Sequence, residues 1–479
     1  MRPFYGRAAL LGRLRAQLAD IEQTGQGRML AVRGRRQTGK SRVLTELVES
    51  SGLPYLFFTG VKDASPPAQL DHLITDVRSA RRPLPDADVL FAARPASWHD
   101  AFSRIAAACA TEPTVVILDE FPWAWGADPT LDGVLQNIWD KRLEASPTLF
   151  ALVGSDLAMM ERLTAHDRPL HGRTKDVVVE PFNPAECAAV LGSDAGAVAA
   201  LDAYLVTGGY PRLVSELTRA GTVGTFVKDQ FADENSDLVV VGQRSLDAEF
   251  PEGVHARRVL SAIGAHEVGH ATFSSVVGKL GDDNKTSTAT TRAVKMLTDT
   301  KRILAVDRPV GAKPSTKLRR YRIDDSYLRF WFRFVEQQIS SISRGRHDIA
   351  IGTFERDWST WRGKAIEPVV HDAVFRLAGS HPSLTTITEV GSWWNRSNSR
   401  EYDIVAADRG HRIVAIGTVK WRPRKQVTGG ELATLTEGRS VIPRAGGARL
   451  LAVAPTGAAA DAHPDLVLTA DDLLGAWPT

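Results

Sequence analysis

Gly34-Arg35-Arg36-Gln37-Thr38-Gly39-Lys40-Ser41 satisfies G-x-x-x-x-G-K-[ST] at every position. Glycines at positions 34 and 39 permit a loop whose amides point inward, the geometry that cradles phosphate oxygens. Lys40 would reach the β- and γ-phosphates of ATP, and Ser41 would ligate its Mg²⁺. A second set of polar residues ends the apolar run VVILDEF, 115–121. There Asp119 would hold Mg²⁺ through water, and Glu120 would polarise an attacking water. Ser155, at the end of ALVGSD, is placed either to sense the γ-phosphate or simply to form a Gly-Ser turn. Arg173, in PLHGRTKDVVVEPF, is either a surface arginine or the cation that neutralises developing phosphate charge in a neighbouring copy of the chain. The second option implies a homo-oligomer.

Such residues need a parallel sheet to hold them, and the sequence supplies one. Apolar runs at 28–33, 54–59, 114–118, 148–153 and 175–180 alternate with segments of helical period, which is the pattern of a parallel sheet covered by helices. The first strand, RMLAVR, runs directly into the phosphate loop, and the helix-like SRVLTELVES follows it. Residues 61–96 are rich in Pro, Ala and Arg and read as a variable loop or short helices, and the stretch 183–232 is helical only. ENSDLVVVGQRSLDAEFPEG, 234–253, reads as a connector. The resulting division is an ATPase core at 1–182, a helical lid and connector at 183–253, a winged helix-turn-helix at 254–345 and a further α/β domain at 346–479.

Bulk properties agree with several ordinary globular domains. The 479 residues are too many for one core, and 43% apolar with 24% charged is typical composition. No run of eighteen apolar residues exists, and the N-terminus lacks the apolar core of a signal peptide, so the expectation is a cytoplasmic protein without a membrane role. Cys109 and Cys187 lack metal spacing and read as reduced core residues. A net charge of +3 is too small to imply nucleic acid globally, although local clusters remain informative.

FYGRAALLGRL (4–14), the phosphate loop, LDEF, LHGRT and TGGYPRL (207–213) together resemble the archaeal-type ATPases of the AAA+/STAND kind. The resemblance implies a P-loop NTPase sheet in which one inserted strand separates the strand carrying the phosphate loop from that carrying Asp119. It covers about the first 230 residues.

HEVGH, 266–270, matches the zinc-protease pattern H-E-x-x-H, with His266 and His270 as ligands and Glu267 as base. Gly264 and Gly269 oppose the uninterrupted helix that this chemistry needs, and no third ligand follows. A turn between helices is the better reading, with Thr272 as an N-cap. Around it, HARRVLSAIG, TFSSVVGKL and STATTRAVKMLTDTKRI form three short helical segments, and ILAVDRPVGAKPSTKLRRYRI then forms a hairpin. This is a winged helix-turn-helix plan. Its third helix would show Lys285, Thr288, Thr291, Arg292 and Lys295 to DNA, and its hairpin would add Lys313, Lys317, Arg319, Arg320 and Arg322. The alternative is a winged element used only for packing. IDDSYLRFWFRFV, 323–335, has the spacing of core or interface and not of base stacking.

In the C-terminal region a helix with Glu367 near its start, a strand with Asp403 and a hairpin strand ending in Lys420 resemble the order of the PD-(D/E)xK nuclease fold. The resemblance implies a restriction-endonuclease-like α/β domain in which Glu367 and Asp403 would bind Mg²⁺ and Lys420 would orient water. The family's second acid is replaced by Thr418, a neutral and weak ligand, so one charge is missing. Glu431 is a candidate replacement. Arg396, Arg400, Arg412, Arg422, Arg424, Lys425 and the tandem Trp393-Trp394 would suit nucleic acid even without cleavage. Three readings follow: an ATP-driven switch acting on DNA, a signalling NTPase whose appended domains bind protein, and an ATP-regulated nuclease.

Overall fold

The computed structural model describes residues 4–250, 253–266, 268–281, 283–422 and 424–478, which form two compact units, one ending at Pro181 and one beginning at Phe182. Glu267 lies outside the described residues.

In the first unit, β1 (Arg28–Arg33), β2 (Tyr55–Thr59), β3 (Thr114–Asp119), β4 (Thr148–Gly154) and β5 (Thr174–Val178) form one parallel sheet in the order β2-β3-β4-β1-β5. The inserted strand implied by the resemblance is β4, which lies between β1 and β3. Alternate side chains enter opposite layers. Met29, Phe58, Val116, Leu118 and Phe150 pack into one, and Leu30, Val32, Val115, Ile117 and Val153 into the other. Such double burial is why these strands read as continuous apolar runs. The Pro/Ala/Arg-rich stretch contains the helices Pro66–Ser79 and Ala87–Leu90.

The second unit starts with a helix at Pro184–Leu191, whose Asn183 and Glu186 form a reciprocal capping box. The stretch expected as a connector is instead largely a helix, Asp237–Glu249. It is held by packing: the Trp331 indole donates to the Val239 carbonyl at 2.9 Å, and the Tyr327 hydroxyl donates to that of Leu238 at 2.9 Å. Among the described residues no single helix is long and apolar enough to cross a membrane.

Helices Val254–Gly264, Phe273–Leu280 and Asn284–Lys295 come next, followed by an antiparallel pair, β6 (Leu304–Asp307) and β7 (Arg320–Ile323). Thr272 accepts a hydrogen bond from the Ser275 amide, so the expected N-cap is formed, and His266 and His270 fall in the turn before it. A bridge from Ala271 to Tyr321 ties this turn to the hairpin. The aromatic segment is core as expected: Tyr327, Phe330, Trp331, Phe332 and Phe334 are all buried.

Last come the helices His347–Ala365 and Glu367–Leu377 and a five-stranded sheet. Its strands β8 (Ile387–Trp394), β9 (Glu401–Asp408) and β10 (Ile413–Val419) are antiparallel. After a helix at Gly429–Val441, β11 (Arg449–Val453) joins parallel to β10, and β12 (Leu466–Leu468) follows it. One hydrophobic core runs from Ala185 through Leu260, Phe334 and Val370 to Trp477, so the three C-terminal pieces share their stability. A buried polar knot crosses the same core. Asp202 accepts from Arg362 at 2.7 Å and from the Trp421 indole at 3.1 Å. Cys109 and Cys187 are buried core residues, as expected, and neither is in a disulfide.

Candidate functional site: a phosphate loop and a carboxylate cluster

The phosphate loop leaves β1 at Gly34, where any side chain would collide with the Val179 carbonyl oxygen. It enters the helix Lys40–Ser51 through Gly39, whose φ of 89° suits glycine. Lys40 Nζ donates to the carbonyls of Gly34 and Arg35, both at 2.8 Å, and so closes the loop on itself. Thr38 is buried, its hydroxyl donating to the Arg35 carbonyl at 3.0 Å and its own carbonyl accepting from Arg7 Nη2 at 2.7 Å. Arg7, in the Gly-Arg segment of FYGR, is a support that spacing alone does not reveal. Ser41 Oγ donates to Asp119 Oδ2 at 2.5 Å, and Ser155 Oγ donates to Glu120 Oε2 at 3.0 Å. Thus β1, β3 and β4 deliver the predicted residues to one cleft of about 440 Å³, which Arg36, Gln37, Lys40, Ser41, Glu120 and Ser155 line. Lys62 and Trp123 line it too, the lysine 5.6 Å from the indole centroid. Arg173 instead forms a two-pronged pair with Asp140 at 2.6 and 2.8 Å.

Burial pushes the Lys40 ammonium down to about 8, against the upward pull of Glu120 and Asp119, with Arg36 lowering it further. Phosphate binding needs the charged form. Above that value the free protein must take up a proton to bind nucleotide, so affinity should be flat below it and fall as pH rises through it, by up to ~10-fold per unit. Titrations with a fluorescent ATP analogue at rising pH would show this. Lys40→Arg, which stays charged, should flatten the decline, and a decline unchanged in that variant would assign it to another group.

The second unit brings a different set of groups together. Glu367, the first residue of its helix and buried, faces Asp403 of β9, but the cation between them is Lys364 and not Lys420. Lys364 Nζ is 3.0 Å from Glu367 Oε1 and 3.7 Å from both Glu401 Oε1 and Asp403 Oδ1. Burial pushes the Glu367 carboxyl up to about 8, with Asp403 adding to the rise and Lys364 opposing it. Burial alone would lower the Lys364 ammonium, but Glu367, Asp403 and Glu401 outweigh it and hold the lysine charged.

Several expectations for this region are corrected. Among the described residues Lys420 makes no ion pair with Glu367 or Asp403, and its charge is felt by Glu431. Glu431 is no replacement ligand. It caps its own helix through the amide of Thr428 and pairs with Arg422 at 2.7 and 2.9 Å. Thr418 donates to Asp403 Oδ2 at 2.9 Å. Between Glu367 and Asp403 stands the Lys364 ammonium, and among the described residues no group of three or more His, Cys, Asp or Glu is arranged to hold a metal ion.

The hairpin arginines differ as well. Arg320, only 4% exposed, grips Glu401 with both Nη atoms at 3.0 Å and lies 4.2 Å over the Trp394 ring. Arg322 is paired with Asp307 at 3.0 Å and Asp324 at 2.6 Å. Neither is available to a phosphate, and buried Trp394 is not a stacking platform. Arg320→Ala strands the half-buried Glu401 carboxylate, although Lys364 and the remaining solvent contact soften the loss. It should destabilise the second unit by about 2–4 kcal/mol in urea unfolding. A change under ~0.5 kcal/mol would show the pair to be a bystander. By contrast, Lys285, Arg292 and Lys295 are exposed on one face of Asn284–Lys295, and among the described residues they have no ion-pair partner.

Comparison with known proteins matches residues 3–136 to the AAA ATPase domain and residues 331–431 to a family described as "Archaea bacterial proteins of unknown function". The second match contains the whole Lys364 cluster. An uncharacterized protein of Methanocaldococcus jannaschii is 22% identical over 409 residues, covering 83% of each chain. Among solved structures, a Walker-type ATPase of Pyrococcus abyssi is similar at TM-score 0.48 and 15% identity, covering 69% of this chain and 96% of its own. The ORC2 protein of Aeropyrum pernix is similar at TM-score 0.43 and 14% identity, covering 74% of this chain and 96% of its own. With a complete phosphate loop, Asp119-Glu120 at the end of β3 and a match to the AAA ATPase domain over residues 3–136, the N-terminal unit is a P-loop ATPase domain.

Proposed function

We propose that the chain is an ATP-driven switch that acts on DNA, with a nuclease-like C-terminal domain that does not cleave. Ser41 and Asp119 offer hard oxygen donors side by side and would hold the Mg²⁺ of bound ATP. Bound there, the ion would neutralise phosphate charge. Lys40 would hold the phosphates, Glu120 would take the proton of the attacking water, and Ser155 would position Glu120.

The observation that carries the DNA reading is the row Lys285, Arg292 and Lys295, exposed and without ion-pair partners on the third helix of a three-helix-plus-hairpin arrangement. That arrangement, with the Ala271–Tyr321 bridge as a short third strand, supports a winged helix-turn-helix whose third helix meets the major groove. Internal pairing of Arg320 and Arg322 limits the hairpin to packing near its base, while Lys313, Lys317 and Arg319 stay exposed. The helix–three strands–helix–strand order, with β11 parallel to β10, supports the nuclease-like fold. Duplex and single-stranded DNA should bind, and ATP turnover or DNA affinity should change when the two ligands are combined. DNA affinity indistinguishable between ADP and a non-hydrolysable ATP analogue, together with turnover unmoved by DNA, would end the switch reading and favour a signalling NTPase.

A further inference from the structure

Three carboxylate oxygens from two elements converge on one point, and a side chain of the same protein occupies it. Glu367 begins a helix, and Glu401 and Asp403 lie two residues apart on β9, so their side chains share one face of the sheet. Each turns one oxygen toward Lys364 Nζ, at 3.0, 3.7 and 3.7 Å. The other oxygens of the two strand residues are taken up elsewhere. Glu401 Oε2 accepts from both Nη atoms of Arg320 at 3.0 Å. Asp403 Oδ2 accepts from Thr418 Oγ1 at 2.9 Å and from the Val419 amide at 3.0 Å. Oxygens facing the centre and oxygens fixed from behind are thereby sorted as they would be around a bound ion.

A divalent ion does not fit beside that ammonium. Mg²⁺ and Ca²⁺ require oxygens at roughly 2.0–2.6 Å, far inside the observed spread. The position where the nuclease pattern carries an acid holds the neutral Thr418, and Lys420 points its charge elsewhere. Lys364 belongs to the last turn of its helix, three residues before Glu367, so the chain itself fixes it there. The cluster is not sealed from solvent. A cleft of about 660 Å³, lined in part by Lys364, Glu367, His371, Asp372, Phe375 and Arg308, opens onto it.

We propose that Lys364 is the permanent cation of this site, standing where a nuclease would bind its metal, and that the C-terminal domain therefore works without metal and without cleavage. The proposal rests on the nuclease-like reading of that domain. Lysine in place of the ion keeps the carboxylates together and the fold intact, and it removes the Lewis acid that phosphodiester hydrolysis would need.

The test is Mn²⁺ binding to the full-length protein without nucleotide, followed by electron paramagnetic resonance. Wild type and Glu367→Gln should give the same titration. Lys364→Met should gain one site at least ~10-fold tighter than any in wild type, a change of ~1.4 kcal/mol. Adding Glu367→Gln to Lys364→Met should abolish it. A cooperative thermal melt in EDTA establishes that Lys364→Met is folded. A folded Lys364→Met with no gained site overturns the role of Lys364 while leaving the nuclease-like reading intact. Should Lys364→Met fail to fold, the wild-type comparison still decides: Mn²⁺ binding lost in Glu367→Gln shows that the site takes a metal after all. Glu367-dependent plasmid nicking by the wild type would overturn the non-cleaving reading itself.

Discussion

Glu120→Gln should cut ATP turnover by ~10²-fold or more while leaving nucleotide affinity within a few-fold of wild type. Glutamine keeps the size of the side chain and can still accept from Ser155, whose hydroxyl lies 3.0 Å from the carboxylate, but it cannot take a proton from water. Lys40→Ala should fail earlier, at binding. The ammonium that bridges Gly34 and Arg35 is the charge the loop offers to phosphate, and losing it should weaken affinity by ~10- to 100-fold through the missing charge-assisted hydrogen bonds. Ser155→Ala belongs between them, with binding intact and turnover lowered because Glu120 loses its tether. Steady-state turnover and equilibrium binding of a labelled nucleotide separate the three. Equal turnover in wild type and Glu120→Gln would remove Glu120 from the chemistry and leave Asp119 as the functional acid of that strand end.

The first unit was legible in sequence because its information is local. A doubly buried strand is an apolar run wherever it occurs, and the phosphate loop is contiguous, so β1 with Gly34 to Ser41 needs no partner to be recognised. The Asp237–Glu249 helix was not legible for the opposite reason. Its polar residues and Gly242 weaken local propensity, yet Gly242 is where the helix meets the Trp331 ring, so that a Cβ would come within 2.6 Å of the indole. Packing chose the glycine, and packing is invisible one residue at a time. The same applies to charge. Arg320 looks like a surface cation until Glu401, 81 residues later, is found against it. Lys364 looks like the solvated face of a helix until two acids on β9 arrive beside it. Sequence order grouped Lys420 with Glu367 and Asp403, whereas the structure puts Lys364 beside the two acids, because adjacency to a strand end is no measure of where an ammonium points.

Replacing Lys285, Arg292 and Lys295 together with Ala should weaken binding to every DNA sequence by ~10²-fold and flatten its salt dependence. Each phosphate that the protein no longer neutralises takes about 0.9 off the slope of log affinity against log salt, so removing three cations should lower it by about 3. Stability should change little, because these side chains are exposed and, among the described residues, pair with no acid. That separates them from Arg320, whose loss should unfold before it unbinds: its guanidinium is buried and engaged by Glu401, Asn398 and Trp394. Fluorescence anisotropy across a salt series, alongside a thermal melt of each variant, gives both readouts from the same samples. If the triple variant binds with wild-type slope and affinity, the third helix is not the DNA-facing surface. The exposed hairpin tip, Lys313, Lys317 and Arg319, then becomes the remaining cationic face of that arrangement. If Arg320→Ala instead loses DNA affinity at unchanged stability, its pairing with Glu401 must open on binding, and the cation beside the Lys364 cluster would be exchanged between protein and phosphate.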